Sequence, residues 1–228
     1  MIERMSKDLS AEPQAIVDDA VLDAARALVR PGQRTLLGIV GGPAAGKSTA
    51  CAALVAALGA TAVGVPMDGF HLSQRVLAAL GRSERKGAPD TFDASGYCAL
   101  LSRIRHAPGT ADTVYAPDFD RGLEEPVAAR IAVAPDVALV VTEGNYLLLD
   151  EAPWPEVTAR LDAVWSIDID DAQRNAWLLA RHMKHGRSEA EARAWIAGSD
   201  APNAARIAAR AHQADRHLTW RGARLCFA

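Results

Sequence analysis

The chain has 228 residues, 50% of them hydrophobic and 23% charged, with a formal net charge of -3. That is enough apolar material for one sizeable core, which excludes a disordered or fibrous chain, and no Lys/Arg block is dense enough for a nucleic-acid surface or an acidic membrane. Cys51, Cys98 and Cys226 form neither a CxxC pair nor a disulfide framework, the opening residues lack a signal-peptide core, and no run approaches the roughly 18 apolar residues of a membrane span, so a cytoplasmic protein acting on a small molecule is expected.

In chain order, apolar residues at mostly helical spacing predict a helix from Ala15 to Val29, stopped at Arg30-Pro-Gly32. Short apolar runs bounded by turn residues predict strands over Thr35–Val40, Thr61–Pro66, Val137–Thr142 and Ala163–Ile169, and helical patterns fall between them at Gly46–Leu58, His71–Leu80, Ala94–His106 and Ala172–His185. Strands apolar on both faces that alternate with helices imply an α/β fold, a doubly wound and mostly parallel sheet covered on both sides. Residues 113–135 break the alternation with three prolines and read as an inserted hairpin or flap. Ser188 to Arg216 reads as two helices broken near Gly198–Pro202, and Arg224–Phe227 as a terminal strand. No second-domain boundary is legible, so 1–228 is expected to be a single domain with a flap at about 113–135 and a helical lid at about 174–200.

Directly behind the first of these strands stands "GGPAAGKS", which matches GxxxxGK[ST] at Gly41, Gly46, Lys47 and Ser48 and opens a helix. In such a P-loop the glycines let successive N–H groups face a phosphate, and the helix N-terminus adds its positive dipole end. Gly41, Gly42, Pro43, Ala44, Ala45, Gly46, Lys47, Ser48 and Thr49 are therefore the candidate nucleotide-phosphate cradle, with Lys47 bridging the β- and γ-phosphates and the Ser48 hydroxyl on Mg²⁺. Glu143, at the end of the apolar run "VALVVTEG", is the candidate second acid near the metal; the alternative is a strand-end carboxylate emerging into solvent. Asp68 in "VPMDGFHL" ends the second strand and would emerge on the same carboxyl edge, where open α/β sheets bind ligands, although "MDG" also reads as a turn.

These motifs, in order, resemble the P-loop kinases that include uridine kinase, phosphoribulokinase and type I pantothenate kinase. The likeness runs from about Thr35 to Trp220 through "GGPAAGKS", "MDGFH", "RKGAPDTFD", "YAPDFDR" and "VVTEGNYLLLD", and it looks most like the bacterial nucleoside kinase-like and fructose-transport-system kinase members. The resemblance implies Asp68 as catalytic base, Glu143 near Mg²⁺ and the acceptor, and Lys86, Asp90 and Asp93 beside the acceptor pocket, with Asp93 better read as a helix cap. His71 would point toward the same pocket or simply pack. Phe119 stands where uridine kinases carry Tyr, and the His that follows there is missing, which argues against pyrimidine nucleoside specificity. Asp118, Asp120 and Arg121 give the flap polar groups for an acceptor's hydroxyls or acid group, or for solvent.

The same resemblance places Asp168, Arg174 and Arg181 at the entry of a helical lid closed by Arg187, with Arg181 the candidate γ-phosphate contact. Asn203 would approach the nucleotide or cap a helix, and the five tryptophans read as packing residues. The expected function is transfer of the γ-phosphoryl of Mg-ATP to a hydroxyl of a sugar or nucleoside-like metabolite. The competing reading is a P-loop hydrolase acting as a switch or regulator, disfavoured by the absence of NKxD. The N-terminal helix and the last strand leave a homodimer open.

Overall fold

A computed structural model describes residues 15–107 and 112–228. Ile16–Val17 forms a two-residue strand, β1, rather than the first turn of the expected helix, because it pairs in parallel with Arg224 and Leu225. Asp18 then caps α1 (Asp19–Leu28), its carboxylate accepting from Ala20 N–H. Fully buried β2 (Thr35–Val40) leads through the P-loop into α2 (Lys47–Leu58) and β3 (Ala62–Pro66). The expected helix from His71 is only α3 (Gln74–Ala79): Met67–Phe70 makes a tight 3₁₀ turn, His71 bridges to Phe92, and Ser73 starts the helix as its cap.

After α4 (Ala94–His106), the 113–135 insertion is a hairpin of β4 (Val114–Asp120) and β5 (Glu125–Val133), a two-stranded sheet of its own. β6 (Leu139–Gly144) lies two residues later than expected, which brings Glu143 inside the strand. There follow α5 (Trp154–Thr158), β7 (Ala163–Ile167), α6 (Asp171–Lys184), α7 (Glu189–Trp195) and α8 (Ala201–Ala208). The break expected at Gly198–Pro202 is instead a wide π turn over Ile196–Asp200 that keeps the chain helical from α7 into α8. Pro202 stands in the first turn of α8, directly after the π turn. Arg216 belongs to β8 (Arg216–Arg221), a strand the sequence hid, which turns back into β9 (Arg224–Phe227).

The main sheet runs β1-β9-β8-β7-β2-β6-β3, parallel except for the β8–β9 pair, so the mostly parallel α/β expectation holds. One apolar cluster packs α1 and α2 on one face, around Leu37, Ile39, Leu54, Val141 and Trp165. The other packs α4, α5 and the hairpin on the opposite face, around Leu36, Tyr97, Leu101, Ala116, Tyr146 and Trp154. β2 and β6, central and covered on both sides, deliver the P-loop and Glu143 to one edge; β3, paired with β6, delivers Asp68 beside them.

Candidate active site

The P-loop curls because Ala44 and Gly46 take left-handed conformations, φ 62° and 82°, before α2 begins at Lys47. At Gly46 space matters too, since a Cβ there would stand 2.6 Å from Trp220 Nε1. That indole comes from β8 and donates to the Ala45 carbonyl at 3.1 Å, bracing the loop from behind. Lys47 is buried and donates to the Gly42 carbonyl at 3.0 Å. Burial pushes its ammonium's pKa down, with Glu143 and Asp68 opposing and Arg181 and Arg121 adding to the shift.

Glu143 is buried and accepts from Ser48 Oγ at 2.8 Å. Desolvation first, then repulsion from Asp68, raises its pKa, against the pull of Lys47 and Ser48. A hydroxyl and a carboxylate side by side are hard oxygen donors, and the described residues hold no cluster of three or more His, Cys, Asp or Glu that could hold a metal. Two protein oxygens with the remainder from phosphates and water suit Mg²⁺ better than a metal caged by protein alone.

Asp68 sits in the turn two residues past Pro66, which pairs with Glu143 across the β3–β6 ladder. Its Oδ2 meets Arg121 Nη2 from the hairpin at 3.3 Å. Beside it His71 is held by tilted ring contacts with Phe92 and Phe119 and by a 2.9 Å contact between Nδ1 and the Asp68 carbonyl. Burial lowers the histidine's pKa, so the neutral imidazole is favoured, with Nδ1 donating. Arg181 on α6 is within electrostatic reach of Asp68, Lys47 and Arg121. Lys47, Ser48, Asp68, His71, Lys86, Arg121, Glu143 and Arg181 line one cleft of about 1130 Å³. A single small-ligand pocket spans about 300–1,000 Å³, so this cleft is a large one.

No family model matches the chain. It is 34% identical over 177 residues to the candidate uridine kinase C227.14 of Schizosaccharomyces pombe, covering 74% of each chain. The crystal structure of a candidate fructose transport system kinase from Silicibacter sp. TM1040 is 36% identical, with a TM-score of 0.79 over 89% of this chain and 98% of that one. This chain belongs to the uridine kinase and phosphoribulokinase family of P-loop kinases. It is a small-molecule kinase dependent on ATP. YFH7 of Saccharomyces cerevisiae, a candidate P-loop kinase with a circular permutation, 19% identical with a TM-score of 0.76 over 89% of this chain and 98% of that one, shares its fold.

Not every residue singled out in the kinase's sequence reaches the cleft. Asp90 is taken by Arg82 and Arg85, with Oδ2 at 3.3 and 2.5 Å, and does not line the cavity. Asp120 accepts from Gly122 and Leu123 N–H and pairs with Arg130, which shapes the hairpin's turn. Asp93 caps α4 through Gly96 N–H at 2.8 Å, as read. Arg174 and Arg181 share a helix but divide their work: Arg181 faces the cleft, whereas Arg174 is buried against Gly42, bonded to Asp171 and with Nη1 lacking a hydrogen-bond partner. Arg187 stacks on Trp195 and donates to His182 Nδ1, whose Nε2 contacts Asp200 at 2.7 Å.

Sequence reasoning missed Asn145, Trp177, Trp195 and Trp220 as cleft-lining residues. Asn145 was within reach of inference, standing two residues beyond Glu143 at the strand's mouth. Trp220 was not, for it meets a P-loop carbonyl 175 residues away.

Proposed function

We propose that the chain transfers the γ-phosphoryl group of Mg-ATP to a hydroxyl of a small metabolite. The observation that carries this reading is the pairing of the P-loop with Asp68 across one large cleft, the carboxylate held by nothing stronger than an exposed arginine at 3.3 Å. The phosphates would lie on the N–H groups of the loop and the first turn of α2. The partnerless Arg174 Nη1 behind Gly42 and the buried ammonium of Lys47 both favour an anion there. Ser48 and Glu143 would hold Mg²⁺, which when bound neutralises phosphate charge.

Asp68 accepts the proton of the acceptor hydroxyl as the acceptor oxygen bonds to the γ-phosphorus. The bond from that phosphorus to the bridging oxygen breaks, and ADP leaves with the electron pair. Lys47 and Arg181 stabilise the charge on the transferring group, and no covalent enzyme intermediate is needed. Phe119 and Lys86 bound the acceptor end of the cleft. A hydrolytic switch is less well supported, because a carboxylate opposite the P-loop, beside the aromatic rings of Phe92 and Phe119, suits an organic acceptor better than water alone.

The test is ADP release from ATP over a panel of sugars, sugar acids, sugar phosphates and nucleosides, with Asp68→Asn beside the wild-type chain. We expect one acceptor class to raise turnover well above the acceptor-free rate. The variant should lose about 10²-fold or more in kcat, as removal of a general base does, while its KM for ATP changes far less. Equal turnover by Asp68→Asn would rule Asp68 out as the base.

A further inference from the structure

Two cations stand at the acceptor end of the cleft. Lys86 Nζ lies 5.1 Å from the centre of the Phe119 ring and Arg121 Cζ 5.7 Å from the same ring. Two cations thus share one aromatic plate beside Asp68. The Lys86 ammonium is positioned by the Glu124 carbonyl at 2.7 Å and forms no ion pair with a carboxylate among the described residues. The acids that the sequence places nearby are already committed, Asp90 to Arg82 and Arg85 and Asp120 to Arg130. Asp68 is shared between Arg121 and the chemistry, and Glu124 lines the same end without pairing to Lys86.

The two cations are held differently. Arg121 reaches both Asp68, at 3.3 Å, and the Phe119 ring, whereas Lys86 lies against the same ring and donates to the Glu124 carbonyl. The Phe119 ring thus joins Lys86 to the Arg121–Asp68 pair. A molecule whose hydroxyl reached Asp68 would lie beside Arg121 and the Phe119 ring that Lys86 shares. Asp68 can accept a proton freely only when Arg121 releases it, and an anion on the substrate gives that guanidinium a better partner.

We propose that the acceptor bears an anionic group, a carboxylate or a phosphate, which is bound by Lys86 and Arg121 while its hydroxyl meets Asp68. This rests on the phosphotransfer reading above and narrows it. A free sugar or a nucleoside would offer the Lys86 and Arg121 charges no counter-charge, which favours anionic acceptors over neutral ones.

Matched compounds test the proposal: hydroxylated carboxylates, sugar monophosphates, and the corresponding neutral polyols, sugars and nucleosides. Binding is first titrated with a non-hydrolysable ATP analogue present, so that no turnover is needed. We expect a member of one anionic arm to bind, and the arm that does so tells carboxylate from phosphate. Lys86→Met should weaken it by about tenfold or more, as loss of a hydrogen bond to a charged group does, and Lys86→Arg should restore much of that. Far-UV circular dichroism and the melting temperature verify that both variants fold.

ADP release then separates the two readings. If the best acceptor is neutral and Lys86→Met leaves its KM within about twofold, a change too small for a lost charged contact, the anion proposal is overturned and the kinase chemistry stands. If anions bind through Lys86 but none accelerates ADP release, the anion site is upheld and the phosphotransfer step fails. If no compound in either anionic arm binds, the proposal is wrong.

Discussion

Glu143 is buried at the end of a central strand and satisfied by one hydroxyl, Ser48 Oγ at 2.8 Å. Burial and the nearby Asp68 raise its proton affinity above that of an unfolded glutamate. A raised folded pKa stabilises the fold through the protonated form. That contribution is complete below the unfolded value of about 4.3 and is lost as pH rises through the elevated folded value. The ligand-free protein should therefore lose melting temperature across that window, and Glu143→Gln, which keeps size and a hydrogen-bonding oxygen, should not. We expect the variant to melt higher than the wild-type chain above the window, to match it near pH 4, and to lose phosphotransfer. Melting curves from pH 4 to 8 measure this, and a difference constant with pH would show that Glu143 is not ionising at a buried site. Strain of this kind, harmful to the fold and useful to a cation, is common at functional positions.

Among the elements, the strongest case for long-range support is the β8–β9 hairpin, which sits two strands away from β2 yet reaches the P-loop. Trp220 Nε1 holds the Ala45 carbonyl at 3.1 Å, and its ring fills the space that glycine leaves at position 46. Trp220→Phe keeps a ring and removes the donor. One hydrogen bond of about 0.5–1.5 kcal/mol on a loop that must be ordered to bind phosphate predicts a two- to tenfold rise in KM for ATP. A merely structural role would instead lower the melting temperature and leave KM for ATP alone, so both are measured. The same hairpin marks the limit of what the sequence discloses. β2, β6 and β7 were legible because burial makes them continuous apolar runs, β3 as a short apolar run bounded by turn residues, and α2 and α4 because they fill the intervals. In β8 only Leu218 is buried among polar and arginine residues, so its pattern resembles a solvated helix. Strand β1 is two residues long and exists through its pairing with β9. The P-loop, Asp68 and Glu143 were legible because each sits on a local motif. The commitments of Asp90 and Asp120 to arginines, and of Trp220 to Ala45, depend on tertiary contacts without any local signal.

At the scale of the whole molecule, the cleft is assembled from two separate sheets, and a backbone contact sets their spacing. The main sheet supplies Asp68 through the Met67–Phe70 turn, and the β4–β5 hairpin supplies Phe119 and Arg121. Val114, Ala116 and Val133 anchor the hairpin in the core formed with α4 and β6. Between them lies Gly69, where a Cβ would stand 2.5 Å from the Pro117 carbonyl oxygen and 3.1 Å from Asp118 N. Both neighbours are backbone, and Pro117 lies at the irregularity in register between Ala116 and Asp118, so no flexible side chain can absorb the overlap. In Gly69→Ala the turn and the hairpin must separate, and either movement shifts Asp68 relative to Arg121. Overpacking of this kind costs about 1–3 kcal/mol, and displacement of a reacting group by about 1 Å can cost on the order of 10²-fold in rate. We therefore expect Gly69→Ala to lower the denaturation midpoint and, at temperatures where the variant is fully folded, to lower kcat/KM for the acceptor by at least about tenfold with KM for ATP little changed. A compensating loss at both substrates would place the effect in general destabilisation. A loss confined to the acceptor would mean that the approach of the two sheets sets the geometry between base and substrate.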